Sequence, residues 1–240
     1  MLLSLLLACT APKPGDDTGA PADTARDTSV DTSVDTDSGD TDTAETGGPD
    51  LPDPFIDRVV DYAPGAAAGF GQDRFPDIVY GFPVSPGGGG ASTDVLTLGE
   101  AGTIVVAFDD IALSDGPGAD LLVFENPFTG WYETAYVAVS ADGETWHEWP
   151  CDPTDAEHLF PGCAGVAVVF ANETNGVDPT DPATAGGDAF DLADLGLTSA
   201  RYVRVRDSGA NEYAGSSGGF DLDAMAVVNG EPVPTDGDGE

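Results

Sequence analysis

The chain has 240 residues, with 44 aspartates and glutamates against 7 lysines and arginines, a formal net charge of −37 at pH 7. A charge of that sign argues against nucleic acid as a partner, because phosphate backbones are met by clustered cations. With 40% hydrophobic residues the chain still holds enough apolar side chains for one domain with its own core.

In chain order, residues 1–9 read Met-Leu-Leu-Ser-Leu-Leu-Leu-Ala-Cys. They resemble a bacterial lipoprotein signal peptide with its lipobox, although no Lys or Arg precedes the apolar run. The resemblance implies cleavage after Ala8, lipidation of Cys9 and a mature chain held to the membrane by lipid. The run is far shorter than the ~20 apolar residues of a spanning helix. Thr10 stands where Asp would favour inner-membrane retention, so the expected location is the outer membrane or cell surface.

Residues 10–54 are built from Asp, Thr, Ser, Gly, Ala and Pro, with units such as DTSVDTSVDTD at 27–37. So little apolar surface cannot offset the entropy of ordering, and the segment reads as a disordered acidic tether. None of its runs has the spacing and closing Glu of the calcium-loop motif.

Residues 55–230 read as a β-sandwich, with an acidic tail at 231–240. Strand-forming runs recur at 94–98, 103–108, 121–124, 134–139, 166–170 and 201–206 between Gly-, Pro- and Asp-rich connections. Asp142-Gly143 predicts a hairpin turn joining 136–140 to 145–149. On such a strand Trp146 and Trp149, three apart, face opposite sides, and one belongs to the core. Only residues 190–196 predict a helical turn, stopped by Gly196. Cys151 and Cys163 form an even pair once Cys9 is lipidated, and in an exported chain they predict a disulfide. A zinc site with His147 and His158 is the competing reading, but the spacing matches no common zinc pattern.

Carboxylates crowd three loop regions. One holds Asp115, Asp120, Glu125 and Asn126, the next Asp188 and Asp191, the last Asp221 and Asp223. Hard oxygen donors on glycine-rich loops suit Ca²⁺, the expected cofactor, while turn-forming and solvated acids are the plain alternative. Strand alternation places Asp221 and Asp223 on one side, where both can meet one cation. Trp131 and Tyr132 are candidates for stacking on sugar rings, with buried anchors as the alternative. Gly-x-Ser-x-Gly occurs at 215–219, but it leads into a strand rather than a helix, and both histidines precede it, so it carries no nucleophile-elbow reading. A carboxylate pair for glycoside hydrolysis is available in principle, although so many acids give no means of nominating two.

Residues 104–109 and 115–128, then 135–146, and finally GGFDLDAMAVVN at 218–229 together resemble a group of bacterial cell-surface proteins of unassigned activity. The hairpin VSADGETW and the strand ARYVRV at 200–205 are also similar to elements of discoidin-type, galactose-binding-like jelly rolls. That likeness implies a jelly roll of about eight strands that binds at loops on one end, often with structural Ca²⁺. The expected protein is a lipid-anchored envelope component with a non-catalytic binding or adhesion module for glycans or other envelope components. A secreted glycoside or ester hydrolase, and a purely structural surface protein, are the alternatives. Oligomeric state is not readable.

Overall fold

The computed structural model describes residues 52–84, 86, 90–126, 130–210 and 218–234. Cys9, residues 10–51 of the expected tether, the serine string at 215–217 and the end of the tail lie outside the described residues.

The described chain is all-β, in three antiparallel sheets. A five-stranded sheet runs in the order β1 (Arg58–Ala63), β3 (Thr103–Ala107), β10 (Tyr202–Asp207), β6 (Ala135–Ser140), β7 (His147–Glu148). A four-stranded sheet has β2 (Leu96–Thr97), β11 (Asp221–Val227), β5 (Leu121–Glu125) and β8 (Asp188–Phe190). The small third sheet orders β12 (Gly230–Pro232), β4 (Ile111–Ser114) and β9 (Ser199–Ala200).

Alternation builds the first sheet. In β10 the residues Val203 and Val205 are buried while Arg204 and Arg206 stay partly exposed. Those valines join Ile104, Val106, Val137 and Val139 against Leu96, Leu121, Val123, Leu222, Met225 and Val227 of the second sheet. Two inner apolar faces packed this way make the sandwich core. On the outer face the Arg204 guanidinium lies 4.7 Å from the Trp146 ring centroid and that of Arg206 4.2 Å from Tyr136. Trp149 is buried, so the two tryptophans divide between surface and core as their spacing predicts.

The second sheet is buried on both faces. Every residue of β5 and β11 is buried. Behind them Phe55, Val169, Ala171 and Ala185 pack on Leu122, Phe124, Ala224 and Ala226. Much of this outer cover is the connection 164–187, and here the structure corrects one expectation. Residues 166–170 are not a strand: a single bridge pairs Val169 with Gly186. The backbone N–H groups of Gly165, Val166 and Ala167 donate instead to the Asp188 carboxylate at 2.7, 3.2 and 3.0 Å. A side chain has taken the donors that a strand would give its neighbour.

The expected hairpin is present as β6 and β7, with Gly143 at φ +77°. A short 3₁₀ turn spans Leu192–Leu195, capped by the Asp191 side chain and closed by Gly196 in the left-handed region. Cys151 and Cys163 are joined in a disulfide, which removes the zinc reading because neither thiolate is available.

Candidate functional site

Carboxylates stand at both ends of β5, in two different states. Asp120, just before the strand, is fully buried. Its Oδ1 accepts from the Gly116 N–H and the Asn229 amide, both at 2.9 Å, and its Oδ2 from the Leu192 N–H at 2.8 Å. It ties a loop, a strand exit and the 3₁₀ turn together. Asp191 caps that turn through the Ala193 N–H at 2.8 Å. With the exposed Asp115 they form a group in which one carboxylate oxygen from each lies within 4.8 Å of the others. Such a cluster can hold a metal ion. Asp53, Asp57 and Asp110 form a second group of the same tightness. It joins Asp110 to residues more than fifty positions before it, a pairing with no local signature in the chain.

At the far end, Glu125 closes β5, Asn126 follows it, Glu133 lies just before β6, Asp207 ends β10 and Asp221 opens β11. Glu125 and Asn126 were expected in one ligand group and Asp221 in another; Glu133 and Asp207 were not expected, since each is a lone acid in its own segment. Asp207 is satisfied, accepting from the N–H groups of Ala101, Gly209 and Phe220 at 2.7, 2.9 and 2.9 Å. Asp221 Oδ2 accepts from the Asn126 amide at 3.3 Å, while Asn126 Oδ1 accepts from the Ser92 N–H at 3.0 Å. Oε1 of Glu125, Oε1 of Glu133 and Oδ1 of Asp221 are buried without a hydrogen-bond partner. The three side chains belong to residues that are 3%, 2% and 2% exposed.

Titration reflects that arrangement. Burial first, then the charges of Asp221, Glu133 and Asp188, pushes Glu125 well above the ordinary carboxylate range. Burial and then the Asp221 charge raise Glu133 to about 7, against a weaker lowering by its hydrogen bond with Trp131. Burial likewise lifts Asp221 to about 6.

The remaining expected residues are placed differently. Asp188 is held by its three backbone donors, and burial outweighs them, raising it to about 6. Asp223 accepts from the Val84 N–H at 3.0 Å. The β11–β5 register shifts between Leu222 and Ala224, so strict alternation does not carry Asp223 onto the side of Asp221. Trp131, 37% exposed, is tied to Glu133, and Tyr132 stacks on Phe160 with ring centroids 5.6 Å apart.

Phe160 leads to a cleft that the sequence did not reveal. It lies between β8 and the disulfide-closed segment that follows β7, and its volume is about 530 Å³. Trp149 and Phe190 floor it with centroids 5.0 Å apart, the Trp149 indole N–H donating to the Asp191 carbonyl at 3.0 Å. Leu159 and Phe160, from the disulfide-closed loop, line one wall, and Asp188 and Asp194 also contribute. Leu159 and Phe160 hold φ of +56° and +50°, which side-chain-bearing residues seldom adopt. Leu159 is 56% exposed, an apolar side chain presented to solvent beside aromatic rings. No protein-family model matches the chain, and no curated protein matches it.

Proposed function

We propose that this is a lipid-anchored cell-envelope protein, at the outer membrane or cell surface, whose sandwich is a non-catalytic binding or adhesion module for carbohydrate. The cleft carries the reading. Aromatic faces offer apolar platforms to a sugar ring, and carboxylates beside them accept hydroxyl hydrogens. Trp149, Phe160, Phe190, Asp188 and Asp194 supply both kinds of group in one concavity. Ca²⁺ bridging Asp115, Asp120 and Asp191 stabilises the module by fixing the loop before β5 to the 3₁₀ turn. The Cys9 lipid and the acidic tether hold it clear of the membrane.

A glycan array probed with the delipidated chain in millimolar Ca²⁺ tests this reading. Binding is expected for a defined sugar class, lost in Phe160→Ala and weakened in Asp194→Asn without loss of the fold. An array with no hits sinks the carbohydrate reading. Cys9→Ser is expected to move the protein from the membrane fraction to the soluble one.

One observation favours hydrolysis as a second reading. Glu133 near 7 and Asp221 near 6 have the acidities of a general acid and its partner. Both residues are almost wholly buried, which favours the binding reading, since a catalytic acid must touch its substrate. Turnover on a panel of glycosides and esters, abolished by Glu133→Gln, would reverse that preference.

A further inference from the structure

We propose that Glu125, Glu133 and Asp221 form a second, internal site for a hard divalent cation of the calcium class, separate from the Asp115 group. The inference deepens the cation part of the preceding reading and rests on it only for the class of ion. Four buried side-chain oxygens without a partner occur among the described residues, and three of them belong to this one group. A buried polar atom left unpaired is costly, and native chains leave few. The three are carried on adjoining segments: Glu125 pairs with Leu222, the residue after Asp221, the Asn126 N–H donates to the Asp221 carbonyl at 3.2 Å, and Ala135, two residues after Glu133, pairs with Asp207, which accepts from the Phe220 N–H at 2.9 Å.

Protons alone answer this poorly. A neutral carboxyl removes the repulsion, but one proton joins at most one pair of oxygens, and three oxygens here lack a partner. A divalent cation removes the repulsion and supplies each oxygen with a partner at once. Neighbouring donors among the described residues are engaged. Asp207 is filled by three backbone N–H groups, and the Asn126 amide and carbonyl serve Asp221 and Ser92. Among the described residues no arginine is paired with these acids; the ion pairs of Arg58, Arg74, Arg201, Arg204 and Arg206 go to Asp109, Asp94 and Glu148.

Spacing distinguishes this site from the Asp115 group. The three carboxylates are not among the groups drawn within 4.8 Å. An ion therefore either meets them partly through its own water or draws them inward. Calcium, with six to eight ligands in irregular geometry, tolerates both better than magnesium does. The three segments that carry the group, at the far end of β5, before β6 and at the start of β11, would then be joined by one ion.

The experiment uses the delipidated full chain, stripped with chelator and then titrated with Ca²⁺, with bound ion counted by equilibrium dialysis and stability followed by thermal unfolding. Glu133→Gln and Asp221→Asn are compared with the double variant Asp115→Asn/Asp191→Asn. Each internal variant is expected to bind about one ion fewer per chain. Each is also expected to unfold at a higher temperature than the unsubstituted chain in chelator and at a lower one in saturating Ca²⁺. That crossover is the signature of a cation site, because neutralising an unpaired buried acid helps only while the ion is absent. An unchanged ion count in both variants overturns the proposal, as does the same temperature shift with and without Ca²⁺. If the double variant binds as many ions as the unsubstituted chain while the internal variants do not, the Asp115 group fails as a site and the internal one stands.

Discussion

The two ends of β5 contrast two fates of a buried carboxylate in one sandwich. At the start, Asp120 gives both oxygens to three donors from three segments, and its charge organises the backbone around it. At the far end, Glu125, Glu133 and Asp221 are as deeply buried and each keeps an oxygen without a partner. Burial alone therefore does not decide whether an acid stabilises this fold. The backbone does, by offering N–H groups at one end and too few at the other.

The sharpest way to break that comparison is to remove an acid from each end. Asp120→Ala removes three hydrogen bonds to a buried carboxylate and orphans the buried Leu192 N–H, while the Asn229 amide keeps the Ala119 carbonyl, so a loss of about 3 kcal/mol is expected in urea unfolding. A loss under about 1 kcal/mol would mean that water replaces the carboxylate and that the two ends do not differ. Asp188 is the intermediate case, with three backbone donors yet a raised pKa. Asp188→Asn keeps one acceptor oxygen and turns an amide toward the donors of the other, so about 1–3 kcal/mol is expected by the same measurement. If it is instead neutral, the donors of residues 165–167 are weaker ties than their distances imply.

The pH dependence of stability tests the contrast without substitution. Glu125, Glu133, Asp188 and Asp221 all titrate higher when folded, so their favourable contribution is full below the ordinary carboxylate values of 3.8 and 4.5. It is lost as pH rises toward and through about 6 to 7. Asp142, Asp152 and Asp178 are held lower by backbone and hydroxyl donors, so their contribution is present above 3.8 and lost as pH falls. In chelator the optimum is therefore expected at about pH 4–5, on the acid side of the common range. Thermal unfolding from pH 3 to pH 8 reads it, and Ca²⁺ is expected to move the optimum toward neutrality. An optimum near pH 7 in chelator would show that the far-end acids are not under the strain described.

What the sequence disclosed of this fold follows the same physics. Strand β10 was legible from its alternation of buried valines and partly exposed arginines, β3 and β6 from their β-branched apolar runs between turn residues, and the Asp142-Gly143 turn from backbone chemistry. The double burial of β5 and β11 was hidden, since an apolar run does not say what covers its second face. Residues 166–170 had the composition of a strand, but Val166 and Ala167 give their N–H groups to Asp188, a contact made from about twenty positions away. Asp120 and Asp191, and likewise Asn126 and Asp221, were named as ligands in separate groups, and it is the fold that brings each pair together. Glu133 and Asp207 were missed because what marks them is a set of distant partners, such as the Ala101 N–H on Asp207, rather than a local pattern. The bulge at Leu222/Ala224, which separates Asp223 from Asp221, has no signature in alternating residues.

The smallest effect belongs to an acid outside the contrast altogether. Glu148 sits on the edge strand β7, between Arg204 at 3.7 Å and Arg206 at 3.5 Å, and its side chain is 36% exposed. Both arginines also lie over aromatic rings, so neither depends on the glutamate for its place. Water screens the pair, and holding long side chains in one geometry costs entropy. Glu148→Ala is therefore expected to change stability by less than about 1 kcal/mol and to lose even that difference in high salt. A loss comparable to that of Asp120→Ala would place the decisive variable in charge pairing. A small one, beside a large loss at Asp120 and a gain at Glu133 in chelator, places it in which backbone donors a buried acid can reach.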